Sequence, residues 1–165
     1  MSTTSRRKPV CQPGDMLVIS YGEGAVYGRV VHCDAPDTPR TQLRGLYLKV
    51  LDREVSDGDD LAEVVASSPV LLGPFFTIND PIKKKTWRVV GNVPPDERER
   101  DLPLFMGSRG FVDYFHRPVP ETPENEARLI QEVSFPPHWV EKAVRAKRGL
   151  EEWMRGYDRM NPGGG

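Results

Sequence analysis

The residues of this chain best suited to chemistry are two cysteines, three histidines, a run of carboxylates and a run of lysines, and their spacing limits what each group can do. Cys11, His32 and Cys33 offer the sulfur and nitrogen atoms that zinc prefers. Adjacent residues of a strand point to opposite faces, so His32 and Cys33 do not converge without a bulge. The chain has no C-x-x-C or H-x-x-x-H spacing, and His116 and His138 complete no ligand pattern, so neither a metal nor a cofactor is expected. Gly22-x-Gly24 followed by Gly28 reads G-x-G-x-x-x-G, one residue too long for a dinucleotide loop. It also leads into a strand, not the helix N-terminus that holds phosphate. No serine lies in a G-x-S-x-G elbow and neither cysteine carries a nucleophile signature, so no catalytic residue is expected.

Two charged runs remain. Asp52, Glu54, Asp57, Asp59, Asp60 and Glu63 stand against the single base Arg53, without the spacing of a calcium loop. They read as a solvated helix start or as a negative surface that draws in a basic partner. Lys83-Lys84-Lys85 ahead of Trp87 combines cation and aromatic, which suits phosphate contact and base stacking. The same lysines suit a solvated turn guarding a strand, with Trp87 packed inside.

These residues must be positioned by a chain of 165 residues, long enough for one domain with a real core. A formal net charge of −1 lacks the basic excess of a dedicated nucleic-acid binder, so nucleic acid is not the expected partner. Sixteen prolines and fifteen glycines suit many turns between short strands. The start, MSTTSRRKPV, has bases but no apolar run behind them, and no stretch approaches the roughly 20 apolar residues that span a bilayer. A cytoplasmic protein away from membranes, with a mobile arm over residues 1–12, is expected.

Met16–Tyr21 and Ala25–Cys33 form the clearest local unit, a β-hairpin turning at Gly22-Glu23-Gly24, with Gly28 marking a bulge or a close backbone approach. Further strands are expected at Leu46–Asp52, at Val70–Ile78 (interrupted by Gly73-Pro74, hence an edge or a bent strand), at Trp87–Val93 and at Phe111–His116. Ser56-Asp57 is positioned to cap a short helix through Ala66. Asp96–Asp101 is a charged connection, and residues 118–136 form a proline-rich acidic one. Trp139, Ala143, Ala146, Leu150, Trp153 and Tyr157, spaced 4, 3, 4, 3 and 4 apart, predict an amphipathic helix over 137–158. Glu141–Arg145 and Glu151–Arg155 are expected as pairs on its outer side, and a flexible tail follows at 159–165. The fold class is α+β and mainly β: a small curled antiparallel sheet or partly open barrel with a C-terminal amphipathic helix. Whether that helix packs on its own sheet or on a partner stays open at this level.

Gly14-Asp15 leading into a strand, Tyr27-Gly28-Arg29-Val30 returning from the turn, the middle strand at Leu46–Val50, Pro69–Ile78 and Trp87-Arg88-Val89-Val90-Gly91-Asn92 follow one another in an order that resembles the immunity protein 26 family of bacterial polymorphic toxin systems. The resemblance runs from about Pro13 to Arg117, the domain expected at 13–117. It implies a β-rich domain that binds and blocks a cognate toxin without catalysis, with Gly14, Asp15, Gly28, Trp87 and Gly91 as scaffold positions. The clustered charge places the expected contact surface at Asp57, Asp59 and Asp60, joined by exposed aromatics such as Tyr21. The competing reading is a small SH3-like β-barrel that binds nucleic acid or the transcription machinery, through Lys83–Lys85 with Trp87 and through Arg6-Arg7-Lys8 on the arm.

Overall fold

The hairpin pairs Asp15–Ser20 (β1) antiparallel to Ala25–Cys33 (β2), in register from Met16 opposite Arg29 to Ser20 opposite Ala25. Leu46–Glu54 (β3) adds to β2, and Val70–Thr77 (β4) adds to β3. Trp87–Asn92 (β5) then crosses over to pair with β1, which gives the order β4-β3-β2-β1-β5 with every pairing antiparallel and the sheet left open. This computed structural model describes residues 9–162. Arg6-Arg7-Lys8 and the last three glycines lie outside that range. Cys11, assigned above to the arm, is buried.

The strands carry apolar residues on both sides because both faces of the sheet are covered. Leu17, Ile19, Val30, Leu46, Leu48, Val50, Leu72 and Trp87 fill one face, under Pro137–Lys147 (α5), Phe135 and the 3-10 turn Arg155–Met160. On the other face Met16, Tyr27 and Leu51 pack against Val64 of Leu61–Ser67 (α1). Beside them Val31, Tyr47 and Phe76 meet Phe105 and Tyr114, which belong to the hairpin Phe105–Gly107 (β6) and Gly110–Val112 (β7) and the turn after it. Gly28 sits where the β2–β3 register shifts, and a Cβ there would come within 2.7 Å of Ile19 Cδ1. Gly73-Pro74 lies in a register shift of β4, and β4 is an edge strand. Short helices Asp80–Lys83 (α2), Glu97–Arg100 (α3) and Pro123–Glu126 (α4) fill connections. The strand expected over Phe111–His116 stops at Val112, because Asp113 turns the chain by accepting the backbone N–H groups of Phe115 and Arg117. Among the described residues no helix is long and apolar enough to cross a membrane.

Two local expectations change. The cap of α1 is Asp60, whose carboxylate accepts the N–H groups of Ala62 and Glu63; Ser56 and Asp57 belong to the preceding turn. The C-terminal helix ends at Lys147, short of the expected 158. Leu150 N–H bonds to Arg145 O and Gly149 N–H to Ala146 O, with Gly149 at φ +74, which is the hydrogen-bond pair of a Schellman stop. Val140, Ala143 and Val144 therefore face the core, Leu150 is exposed, and Tyr157 reaches the same core from the separate 3-10 turn. The helix packs on its own sheet.

A Cβ at Gly149 would meet nothing within 4 Å, so its only constraint is the left-handed backbone. Gly149→Ala is expected to lower stability by about 1–2 kcal/mol in urea unfolding, and Gly149→Asn by less. Equal stability of all three proteins would show that the stop does not depend on this residue.

Candidate functional site

Most carboxylates of the acidic run also serve the chain itself. Asp52 and Glu54, at the end of β3, receive Arg148 from the end of α5 at 2.6 and 2.9 Å. Asp59 accepts the Tyr27 hydroxyl, the Arg53 guanidinium and the Ser56 N–H. The Arg53 hydrogen bond, then those of Ser56 and Tyr27, hold its carboxyl below the ordinary range. Asp60 is occupied as the cap of α1. Asp57 alone of the three aspartates makes no side-chain hydrogen bond or ion pair among the described residues, and it is exposed. Tyr21 is only 9% exposed, which corrects its reading as an exposed aromatic. Its hydroxyl donates to Glu54 at 2.8 Å, and Arg145 of α5 donates to its carbonyl at 2.8 Å, so the returning helix closes over it.

Five glycine, aspartate and tryptophan positions hold the sheet around this region. Gly14, at φ +89, leaves no room for a side chain beside the Val93 carbonyl. Asp15 accepts the Gln12 N–H and the Asn92 amide, tying the start of β1 to the end of β5. Gly28 passes under Ile19, and Gly91 passes under Leu61 of α1. Trp87 is 1% exposed, and its indole N–H donates to Glu141 at 2.9 Å. That bond takes Glu141 away from the expected pairing with Arg145. Arg145 bonds instead to Glu23 and Glu151, so the expected Glu151–Arg155 pair is not formed either. With its ring in the core, Trp87 offers no stacking platform.

The residue missed at the sequence level is Arg29. Its guanidinium, 1% exposed, forms a two-pronged bond to Glu99 of α3 at 2.6 and 2.7 Å, and Lys49 reaches the same carboxylate at 2.6 Å. Burial alone would raise the Glu99 carboxyl; hydrogen bonds from Arg29 and Lys49 outweigh it and bring it down to about 2. An arginine between Gly28 and Val30 in an otherwise apolar strand was the available signal, but its partner lies 70 residues away.

His32 and Cys33 occupy opposite faces of β2. His32 lies edge-on to Tyr114 and Phe115 at 4.7 and 5.6 Å, and burial lowers its pKa. Cys33 donates its S–H to the Cys11 carbonyl at 2.9 Å, and its hydrogen bonding with the Cys11 thiol, followed by burial, raises its pKa. Among the described residues no three His, Cys, Asp or Glu side chains gather as metal ligands. A concavity of about 490 Å³ lies between the end of β1, the start of β5 and the outer stripe of α5.

Two outcomes follow for the carboxylates. Unfolded, Glu99 titrates near its ordinary 4.5; folded, it titrates at about 2. The stability it contributes is therefore complete above about pH 4.5 and is lost as the pH falls toward 2. Glu99→Gln is expected to flatten the urea midpoint across that window, and an unaltered slope would assign the effect to other carboxylates. Asp60→Ala is expected to cost about 1 kcal/mol through the lost cap, while Asp57→Ala stays within about 0.5 kcal/mol. Equal costs would contradict the division between structural and free aspartates.

The family model described as Immunity protein 26 matches residues 12–112. No curated protein and no solved structure matches the chain. The family match takes in all five strands of the open sheet together with the β6–β7 hairpin, well over half of the sequence, and on that ground the chain belongs to the immunity protein 26 family.

Proposed function

We propose that this chain neutralises a cognate toxin in the cytoplasm by direct protein–protein contact, without chemistry of its own. The observation that carries the reading is the family match across the whole sheet, since immunity proteins of this kind imply a toxin partner. A stable interface takes roughly 800 Å² from each partner. That is under a tenth of the 10444 Å² of accessible surface, so several faces are large enough to serve. Neutralisation by occupancy needs a rigid, fully folded surface, and a sheet covered on both faces supplies one.

The test is co-expression with a toxin domain drawn from the genes neighbouring this chain, chosen because its expression alone kills the host. Growth is expected to be restored, and the two chains are expected to co-elute at fixed stoichiometry with the toxin's mass unchanged. Continued killing would overturn the toxin assignment. Protection by trace amounts, accompanied by a cleaved or modified toxin, would overturn binding in favour of catalysis.

A further inference from the structure

Cys11 and Cys33 are the two cysteines of the chain, 22 positions apart, and both are free thiols. The fold brings them into contact. Cys33 is the last residue of β2, and its Sγ lies 2.9 Å from the Cys11 carbonyl oxygen, with the Cys11 thiol as a further hydrogen-bond partner. Both lie in the core cluster that α5 covers, at 5 and 6% exposure. No third ligand completes a metal-binding group with them among the described residues. The two thiols are held unequally. Cys33 sits on a paired strand, opposite Leu46 of β3. Cys11 precedes β1, between exposed Val10 and exposed Gln12. Among the described residues the first backbone bond from this segment to the sheet is Gly14 N–H to the Val30 carbonyl. Lifting Cys11 therefore breaks its contacts with Cys33 and the core but no strand pairing.

We propose that Cys11 and Cys33 form a redox modification site, which a low-molecular-weight disulfide of the glutathione class converts to an intramolecular disulfide. Exchange begins at Cys11, on the segment that can lift away. Its thiolate attacks one sulfur of the reagent, forming a mixed disulfide and releasing a first small thiol, which takes up the Cys11 proton. On closure the Cys33 thiolate attacks the Cys11 sulfur, completes the protein disulfide and expels the second small thiol, which takes up the Cys33 proton. Two protein thiols are oxidised, and one reagent disulfide is reduced to two thiols. Hydrogen bonding and burial keep Cys33 protonated in the closed fold, so the rate is set by opening of the Cys11 segment. Where reduced glutathione prevails, the pair rests as thiols. Once formed, the bond staples the entry of β1 to the end of β2, beside the Gly14–Val30 hydrogen bond. This site is independent of the toxin-binding role proposed above.

The experiment uses the full chain, fully reduced and then held in oxidised and reduced glutathione, with and without urea below the unfolding midpoint to hasten opening. Free thiols are alkylated afterwards, and the intact mass is read without reductant. Wild type is expected to lose two hydrogens and to carry neither alkyl group nor glutathione. After removal of urea its melting temperature should stand about 5–10 °C above that of the reduced chain, as closing a loop of this length implies. Dithiothreitol should abolish the rise. Cys11→Ala and Cys33→Ala should each show no rise, and the remaining Cys33 should take up glutathione more slowly than the remaining Cys11. Wild type that keeps two alkylatable thiols after incubation in urea, or carries glutathione without losing two hydrogens, would overturn the proposal. Disulfide-linked dimers would do the same. A disulfide that forms but leaves the melting temperature unchanged or lowered would show that the fold is not built to close this bond, and would overturn it as well.

Discussion

A guanidinium buried in the middle of a sheet must have its donors met, because an isolated charge away from water costs several kcal/mol. Arg29 of β2 is in that position, and Glu99 answers it with both carboxylate oxygens, while the Gly14 and Pro94 carbonyls approach the guanidinium at 3.5 and 3.4 Å. Nη1 thus reaches the Gly14 carbonyl, and Nη2 is shared between Glu99 and the Pro94 carbonyl, so one side chain joins the centre of the sheet to the start of β1, the exit of β5 and α3. A helix of four residues is far too short to persist alone. Here α3 is held because Glu99 serves twice, closing a capping box with Asp96 and neutralising Arg29 and Lys49. The return of β5 to β1 depends on the same arrangement, since Pro94 lies just beyond the strand's last residue.

The opposite face is organised by apolar contact, and charge only finishes it. Val140, Ala143 and Val144 seat α5 on the strands without exposed area, and Tyr157 and Met160 extend that contact after the helix has stopped. Arg145 and Arg148 then fasten the end of the helix to the β1–β2 turn and to the end of β3. Ion pairs as exposed as these contribute little to stability on their own. Their larger effect is local, where Arg148 occupies Asp52 and Glu54 of the acidic run and Arg145 occupies Glu23 and Glu151. The helix lies outside the region shared with the family, yet its terminal arginines reach carboxylates at the β1–β2 turn and at the end of β3.

What could be read from the residues was what local spacing determines. The hairpin, the strand with Leu46, Leu48 and Val50 on one face, the bent edge strand at Gly73-Pro74 and the aromatic-led β5 each follow from alternation and turn residues within a few positions. The start of α5 was equally plain from Pro137. Its end was not, because a glycine inside a helix and a glycine that terminates one look alike until Leu150 N–H is seen to bond to Arg145 O. The site was harder for the same reason. Tyr21 is covered by a helix more than a hundred residues later in the chain, and Asp52, Glu54 and Arg29 find partners equally remote from local pattern. Asp57, Asp59 and Asp60 differ only in which backbone N–H or side chain each happens to meet, which composition does not encode.

The outer edge of β5 has a consequence for how such a chain can be kept in a cell. Residue Val90 has no partner in the pairing with β1, where Met16 faces Gly91 and Leu17 faces Val89, so the strand kinks in mid-course. Lysines precede it and Pro94-Pro95 follow it. A kinked, basic, proline-ended edge is a poor template for another strand, and it blunts the sheet-to-sheet stacking that leads to fibres. The occupancy proposed above requires the protein to outnumber its target before the target arrives. An edge that resists self-templating lets this chain accumulate as a standing reserve without turning its own abundance into aggregate.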